Sequence, residues 1–377
     1  MHLSTRVRSL TPSATSATRD RATMHGVLNL TAGELDLPTP SALVELARRA
    51  VADPANHHYG PAAGSPALRE RVAHDVSRRT GVHIESGSVL ITNGAKQAAY
   101  QAICALVGPG VDVLIPSPGW GTYPQMVALA AGTIVPVSTA PSFRLTVDLL
   151  ERTKSPDSRV LVLISPDNPT GTTYDQNELR AIAHWAIAND IVIVADEIYR
   201  EFTYVGEPTS ILGAAPEVKD NLIIVDGVSK AYAMTGWRVG WLIAPPAVAA
   251  ATAAMQSHTT SNVNGVSQAL ALAALDRPDL AERHREILRS RRMLTLQHLA
   301  AIDQVKFHEP QGAFYVFPRL RGTGPDLADR LLDEAGIGVV PGAAFGSPSH
   351  VRLSFAADEE ILTTALERLA RWVRQRQ

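Results

Sequence analysis

Cysteine is almost absent from this chain: Cys104 is the only one in 377 residues. No disulfide can close within the chain, which fits a reducing compartment and sets a cytoplasmic location as the expectation. Net charge is also nearly absent, since 35 basic residues face 37 acidic ones for a formal charge of −2. That leaves no basic field to attract nucleic acid or an acidic membrane face. Long apolar runs are missing as well. The nearest, Trp241 to Met255, is broken by Pro245 and Pro246 and is too short to span a bilayer. Internal repeats, low-complexity stretches and long linkers are not found. What remains is the composition of an ordinary soluble globular enzyme, in a chain longer than one average domain.

Short β-branched runs alternate with longer helical patterns. Strands are expected at Val89–Thr92, Val111–Pro116, Thr133–Val137, Val160–Ser165, Ile191–Ala195, Leu222–Asp226 and Val239–Ile243. Ala- and Leu-rich stretches of helical spacing, such as Lys96–Leu106 and Gln176–Asn189, lie between many of them. Near-continuous apolar strands alternating with helices predict an α/β fold, a mostly parallel seven-stranded sheet covered on both faces. The last of these strands is the candidate antiparallel member. From about Glu282 the pattern changes to α+β. A long charged helix, Glu282–Ala301, is followed by a strand-like Gly312–Phe317, a helix Asp326–Ala335, short strands at Gly338–Pro341 and His350–Phe355, and a final helix. The first 23 residues are rich in Arg, Ser and Thr, with Asp20 their only acid. Transit peptides share that composition, but an extended N-terminal arm is the plainer expectation.

The most informative run is Gly227-Val-Ser-Lys-Ala-Tyr-Ala-Met-Thr-Gly-Trp-Arg-Val-Gly240, which follows the apolar strand. A lysine so placed can form an imine with an aldehyde cofactor. Arg238, eight positions after Lys230, offers a planar fork of donors matched to a phosphate. This run resembles the lysine segment of the fold-type I pyridoxal-phosphate-dependent aminotransferases of class I/II, the aspartate and aromatic aminotransferase-like group. Gly, Ser, Lys, Gly, Arg and Gly all fall at that family's spacing. One position departs: many members carry a phosphate-binding serine where this chain has Gly227, so the expected phosphate cup lacks one hydroxyl, and Ser229 is the nearby residue that can add a hydroxyl donor. The resemblance extends from about Leu10, in an arm-like Leu10-Thr-Pro-Ser-Ala-Thr15, to the final helix.

In open α/β sheets ligands sit at the carboxyl ends of strands, and two further strand ends here carry unusual polar residues. Ser165-Pro-Asp-Asn-Pro-Thr-Gly171 holds Asn168. Taken alone it reads equally well as a turn with a structural asparagine; in the family the Asn of Asn-Pro-Thr-Gly bonds the cofactor's 3-oxygen. Ala195-Asp-Glu-Ile-Tyr-Arg200 holds Asp196 and Tyr199. A carboxylate at the end of a buried strand is costly unless paired. A helix cap would explain it as readily, but the resemblance implies a protonated pyridine nitrogen as partner for Asp196 and the 3-oxygen as partner for Tyr199.

The turn Thr92-Asn-Gly-Ala-Lys-Gln97 opens a helix, and a helix start with small residues is an anion site through its free N–H groups. The resemblance gives Gly94, Ala95 and Lys96 the cofactor phosphate. It places Trp120, in a Gly/Pro-rich loop, on the face of the pyridine ring. It gives Arg352, on the apolar His350–Phe355, and the backbone N–H of Gly33 to the substrate α-carboxylate. Tyr59 would reach across a homodimer interface to the partner's cofactor phosphate. Residues 1–44 would form the arm and part of a small domain, 45–284 a large cofactor-binding domain, and 285–377 the rest of the small domain.

The implied activity is transfer of an amino group from an L-amino acid to a 2-oxo acid, in a ping-pong cycle through a Lys230 aldimine. Related sequences with the same cofactor residues act as lyases or ring-forming synthases, which is the alternative. A ligand-sensing regulator of DNA is disfavoured, because only about 25 residues precede the family-like segment, too few for a helix-turn-helix module. No metal site is expected.

Overall fold

The computed structural model describes residues 3–8, 10–320, 324 and 326–376. Its centre is a seven-stranded sheet. The order from edge to edge is Val89–Thr92, Gly240–Ile243, Leu222–Gly227, Val192–Asp196, Ser158–Ile164, Asp112–Ser117, Thr133–Ser138. Neighbours pair in parallel except at Gly240–Ile243, which runs antiparallel to both of its neighbours. The strand Ser158–Ile164 shows why such runs sit in the middle of a doubly covered sheet. Leu161 and Leu163 enter one apolar layer, and Val160 and Val162 enter the other. The period of two therefore buries both faces, and no polar alternation is left to read.

A second apolar cluster gathers Leu30 from the N-terminal segment with Tyr315, Leu353 and Leu366 from the C-terminal part. Its sheet is built on Val351–Ser354, which pairs antiparallel with Tyr315–Val316 on one side and Val340–Pro341 on the other. Leu28–Asn29 pairs in parallel with Ile337–Gly338. The charged helix spans Pro278–Ala300, one turn longer at its start than its charge pattern indicated, because Pro278 is favourable in a first turn.

Three expectations are corrected. The N-terminal arm is not extended. Thr5–Arg8 forms one helical turn, and Ala14–His25 is a three-turn helix capped by Ser13 and closed by a left-handed Gly26. A serine cap and a terminal glycine bracket that run, while its weak apolar periodicity hid the helix. Met1, His2 and Ser9 of the expected arm lie outside the described residues. The strand-like Gly312–Phe317 contributes only Tyr315–Val316 to a ladder. Gly338–Pro341 is not one strand but parts of two, Ile337–Gly338 and Val340–Pro341, with different neighbours.

Candidate functional site

The carboxyl ends of the parallel strands open into a cleft of about 370 Å³, within the range of small-molecule sites. Ala95, Lys96, Trp120, Asn168, Asp196 and Tyr199 line it. Ser229, Lys230, Arg238, Arg352 and Gly33 complete the lining from other segments. Gly94 lies immediately behind Arg238. Tyr59 does not join these residues: its side chain stands 92% exposed on the surface of the single chain.

Lys230 follows the strand Leu222–Gly227 by three residues and is held by its Nζ donating to the Gly33 carbonyl at 2.5 Å. Burial removes water from the ammonium and lowers its pKa to about 8. The attraction of Glu34 opposes this shift, while Arg238, Arg352 and Lys96 reinforce it. A lysine so placed loses its charge as pH rises through about 8, where a free lysine would still be protonated, so a nucleophilic amine is within reach near neutrality.

Asp196 is the last residue of its strand and 4% exposed. Burial raises its pKa to about 7, against the N–H of Ile198 and the hydroxyl of Tyr123, which hold the charge. The Tyr123 hydroxyl donates to Oδ2 at 3.0 Å. A cationic partner in the cleft would return this carboxyl to its ionised form. The adjacent Glu197 belongs elsewhere. It accepts from Ser210 at 2.6 Å and pairs with Arg79 at 3.3 Å, in a buried ion network behind the sheet.

Arg352 comes from the middle of the second sheet and is 1% exposed, a fully buried guanidinium. Nη1 donates to Asn168 Oδ1 at 3.0 Å and Nη2 to the Thr31 carbonyl at 2.8 Å. Nε is buried without a partner among the described residues. Both acceptors are neutral, so the charge itself is uncompensated, and burial lowers the arginine's pKa. A buried cation of this kind is costly until an anion joins it. Arg238 shows the same pattern at the cleft rim. Among the described residues its guanidinium donates only to backbone carbonyls, of Thr235 at 2.9 Å and Asn93 at 3.2 Å.

The helix Ala95–Leu106 begins at Gly94, with φ +78° and no side chain capping its first turn. A Cβ at Gly94 would lie 2.6 Å from Arg238 Nη2. Glycine is therefore what lets the arginine approach the helix start, where an anion would meet both. The departure at Gly227 also has a local cause. It pairs with Gly240, and a Cβ there would meet the Gly240 Cα at 2.8 Å. The two strands run too close for a serine at that position. Lys96 projects at the exposed rim, its ammonium 5.5 Å from the Trp120 ring centre. Partial burial of the head group, then repulsion from Arg238, lower its pKa.

These residues suit pyridoxal phosphate. Among the described residues Arg238 and Arg352 have no carboxylate partner and Asp196 forms no ion pair, while a lysine is poised to lose its proton and a side-chain-free helix start faces Arg238. The sequence had not singled out Tyr123, Tyr315, Thr31, Glu34 or Thr235, nor Ser13, Thr15, Ser16 and Arg19 of the N-terminal helix, all of which lie at or beside the cleft. A hydroxyl inside the aromatic run Phe314-Tyr-Val-Phe317 was the available signal for Tyr315. The helix residues gave none, because that segment read as an extended arm.

Comparison with known proteins agrees. The family described as aminotransferase class I and II matches residues 25–369. The chain is 39% identical to an aspartate aminotransferase of Streptomyces avermitilis, with 97% of this chain and 95% of that one aligned. It is 40% identical to an aspartate/prephenate aminotransferase of Thermus thermophilus, over 98% of both. The solved structure of a Thermus thermophilus aspartate aminotransferase with maleate superposes with a TM-score of 0.93 at 38% identity, covering 98% of this chain and 99% of that one. A Rhizobium meliloti aspartate aminotransferase superposes at 0.94 with 32% identity, covering 99% of each. With relatives of this similarity along nearly its whole length, the chain belongs to the class I and II aminotransferases and is a pyridoxal-phosphate-dependent aminotransferase.

Proposed function

We propose that this aminotransferase acts on dicarboxylic amino acids, with the corresponding 2-oxo acid as acceptor, and that Lys230 is its catalytic base. The observation that carries the substrate reading is the excess of cations around the cleft. Arg19, Lys96, Lys230, Arg238 and Arg352 face only Glu34 and Asp196 among the acidic residues lining it. Arg238 and the first-turn N–H groups of Gly94, Ala95 and Lys96 would hold the cofactor phosphate, with Ser229 adding a hydroxyl. Arg352, with the N–H of Gly33, would hold the substrate α-carboxylate. Lys96 and Arg19 are then left over for a second carboxylate. Among the described residues the only acid paired with Arg19 is the exposed neighbour Asp20, at 3.2 Å, an arrangement that water screens strongly. The Thermus thermophilus relative was solved with maleate, a dicarboxylate, and several relatives are aspartate aminotransferases, which supports the same reading.

Pyridoxal phosphate, when bound, supplies the carbonyl that carries the amino group between the two substrates and a ring that accepts the electron pair of the breaking Cα–H bond. The chain's part is to position and to move protons. Asp196, held by Tyr123, would keep the pyridine nitrogen protonated. The Oδ1 of Asn168 is engaged by Arg352, so its amide NH₂ is turned to other acceptors and would donate to the 3-oxygen beside the Tyr199 hydroxyl. Trp120 would cover one ring face. Lys230 would take the Cα proton and return it two atoms away, to the carbon across the nitrogen from Cα. The reverse passage with a 2-oxo acid completes a ping-pong cycle.

The test of substrate class is Lys96→Met. Loss of one charged contact of this kind lowers kcat/KM by roughly 10- to 100-fold. That loss is expected for aspartate and glutamate and not for alanine or phenylalanine. An unchanged ratio of acidic to neutral substrates would remove Lys96 from the proposal.

On this reading the cleft lies between a large unit, residues 45–284, and a smaller one formed by 1–44 and 285–377. The second carrier of the phosphate is Tyr59 from a second copy of the chain. A phenol 92% exposed on the irregular segment before Gly60 has a reason to be there if a partner's site receives it. Light scattering should give a dimer, and Tyr59→Phe should weaken cofactor binding by about tenfold, the worth of a hydrogen bond to a charged group. A monomer with full activity would exclude a shared site. Among the described residues no helix is long and apolar enough to cross a membrane, and a cytoplasmic location is part of the proposal.

A further inference from the structure

We infer that Tyr315 is a positioning residue of the reaction, coupling the group that grips the substrate carboxylate to the group that faces the cofactor's 3-oxygen. The inference rests on the roles proposed above for Arg352 and Tyr199. Tyr315 comes from the short strand paired with the strand of Arg352, and it is fully buried. Three contacts converge on it. Its hydroxyl lies 2.8 Å from the hydroxyl of Tyr199. Its ring sits under the Arg352 guanidinium, 4.1 Å from ring centre to Cζ. Its hydroxyl also closes the space beside Gly33, whose Cβ, if present, would lie 3.6 Å away.

Each contact has a chemical consequence. Two buried hydroxyls in contact satisfy one another in one direction only. When the Tyr315 O–H donates to the Tyr199 oxygen, the Tyr199 proton is released to point into the cleft, and polarisation along the chain makes it a better donor. An aromatic face beneath a guanidinium stabilises an otherwise uncompensated buried cation and fixes the plane of its donor fork. That plane sets how a carboxylate docks. Tyr315 thus acts at both ends of the substrate without reaching the reacting atoms. A purely structural role would need an aromatic ring here, but not its hydroxyl and not its coupling to Tyr199.

Two variants of the cofactor-loaded enzyme separate these effects. Tyr315→Phe keeps the ring and removes the hydroxyl. The pH at which the bound cofactor's visible absorption band titrates, read without substrate, is expected to rise by roughly half to one unit. That is the shift given by weakening one hydrogen bond to the ionised 3-oxygen, and KM should stay within about twofold. Tyr315→Leu removes the ring as well. KM for aspartate is then expected to rise about tenfold or more beyond that of Tyr315→Phe, with a smaller change in kcat. If Tyr315→Leu fails to fold, the band titration of Tyr315→Phe decides alone. An unchanged titration in Tyr315→Phe would overturn the coupling to Tyr199. Equal KM values in the two variants would overturn the coupling to Arg352. A wild-type protein with no titrating band at all would overturn the proposed Lys230 site itself, and this inference with it, which a defect confined to the variants would not.

Discussion

Replacing Lys230 with alanine is expected to lower turnover by about 10⁴-fold or more, because one side chain supplies both the covalent tether and the proton transfer. The geometry sets the size of the effect. Lys230 is fixed by the Gly33 carbonyl at 2.5 Å, and burial brings its pKa to about 8. Lys96 could not replace it, since it stands at the exposed rim on another element. The variant should still bind the cofactor, because Arg238, the helix start at Gly94, Asp196 and Asn168 are untouched. Borohydride reduction followed by peptide mass analysis checks the assignment directly. Wild-type protein should gain the cofactor's mass on the peptide carrying residue 230, and the alanine variant should gain none. Normal turnover by that variant, or labelling on a different lysine, would refute the role.

Arg352→Lys should lower kcat/KM by about 10²- to 10³-fold, mostly through KM. Arginine offers two parallel donors to a carboxylate, and lysine is a point charge on a shorter reach. At this position the distinction is sharp. The guanidinium is 1% exposed and already spends one donor each on Asn168 and Thr31. Its remaining donors are oriented by those bonds and by the Tyr315 ring. A lysine would forfeit the bonds, the stacking and the fork together, and it would free Asn168 to turn. Steady-state kinetics with aspartate, alongside the substrate-free absorption spectrum, make the check. The spectrum should hold while KM rises. If KM were unchanged, the α-carboxylate would have to bind elsewhere, and the fully buried charge of Arg352 would need another explanation.

The residues of the cleft differ in how legible they were. Asn168, Asp196, Lys230 and Arg238 stood out because they lie at or beyond the ends of short apolar strands, in runs that match the family's motifs. The parallel sheet then brings strand ends together without further instruction. Tyr59 was equally legible, yet the single chain leaves it on the surface. The N-terminal helix was misread because its apolar residues lack periodicity, while its packing on Leu28–Asn29 and Ile337–Gly338 supports it.

By itself, then, the sequence determined the α/β class, the strands of the large sheet, the family and the chemical types at the strand ends. These depend on local pattern and short-range spacing. Tertiary structure alone decided which buried charges lack partners among the described residues, and so where the proposal puts the anions. It placed Tyr123 against Asp196 and Tyr315 between Tyr199 and Arg352; the Tyr123–Asp196 and Tyr199–Tyr315 hydrogen bonds span 73 and 116 residues. It also decided that Gly227 has no room for a side chain. The physical reason is common to all of these. Desolvation, hydrogen bonding and close packing depend on what lies within a few ångströms in space, and distance along the chain carries little of that information.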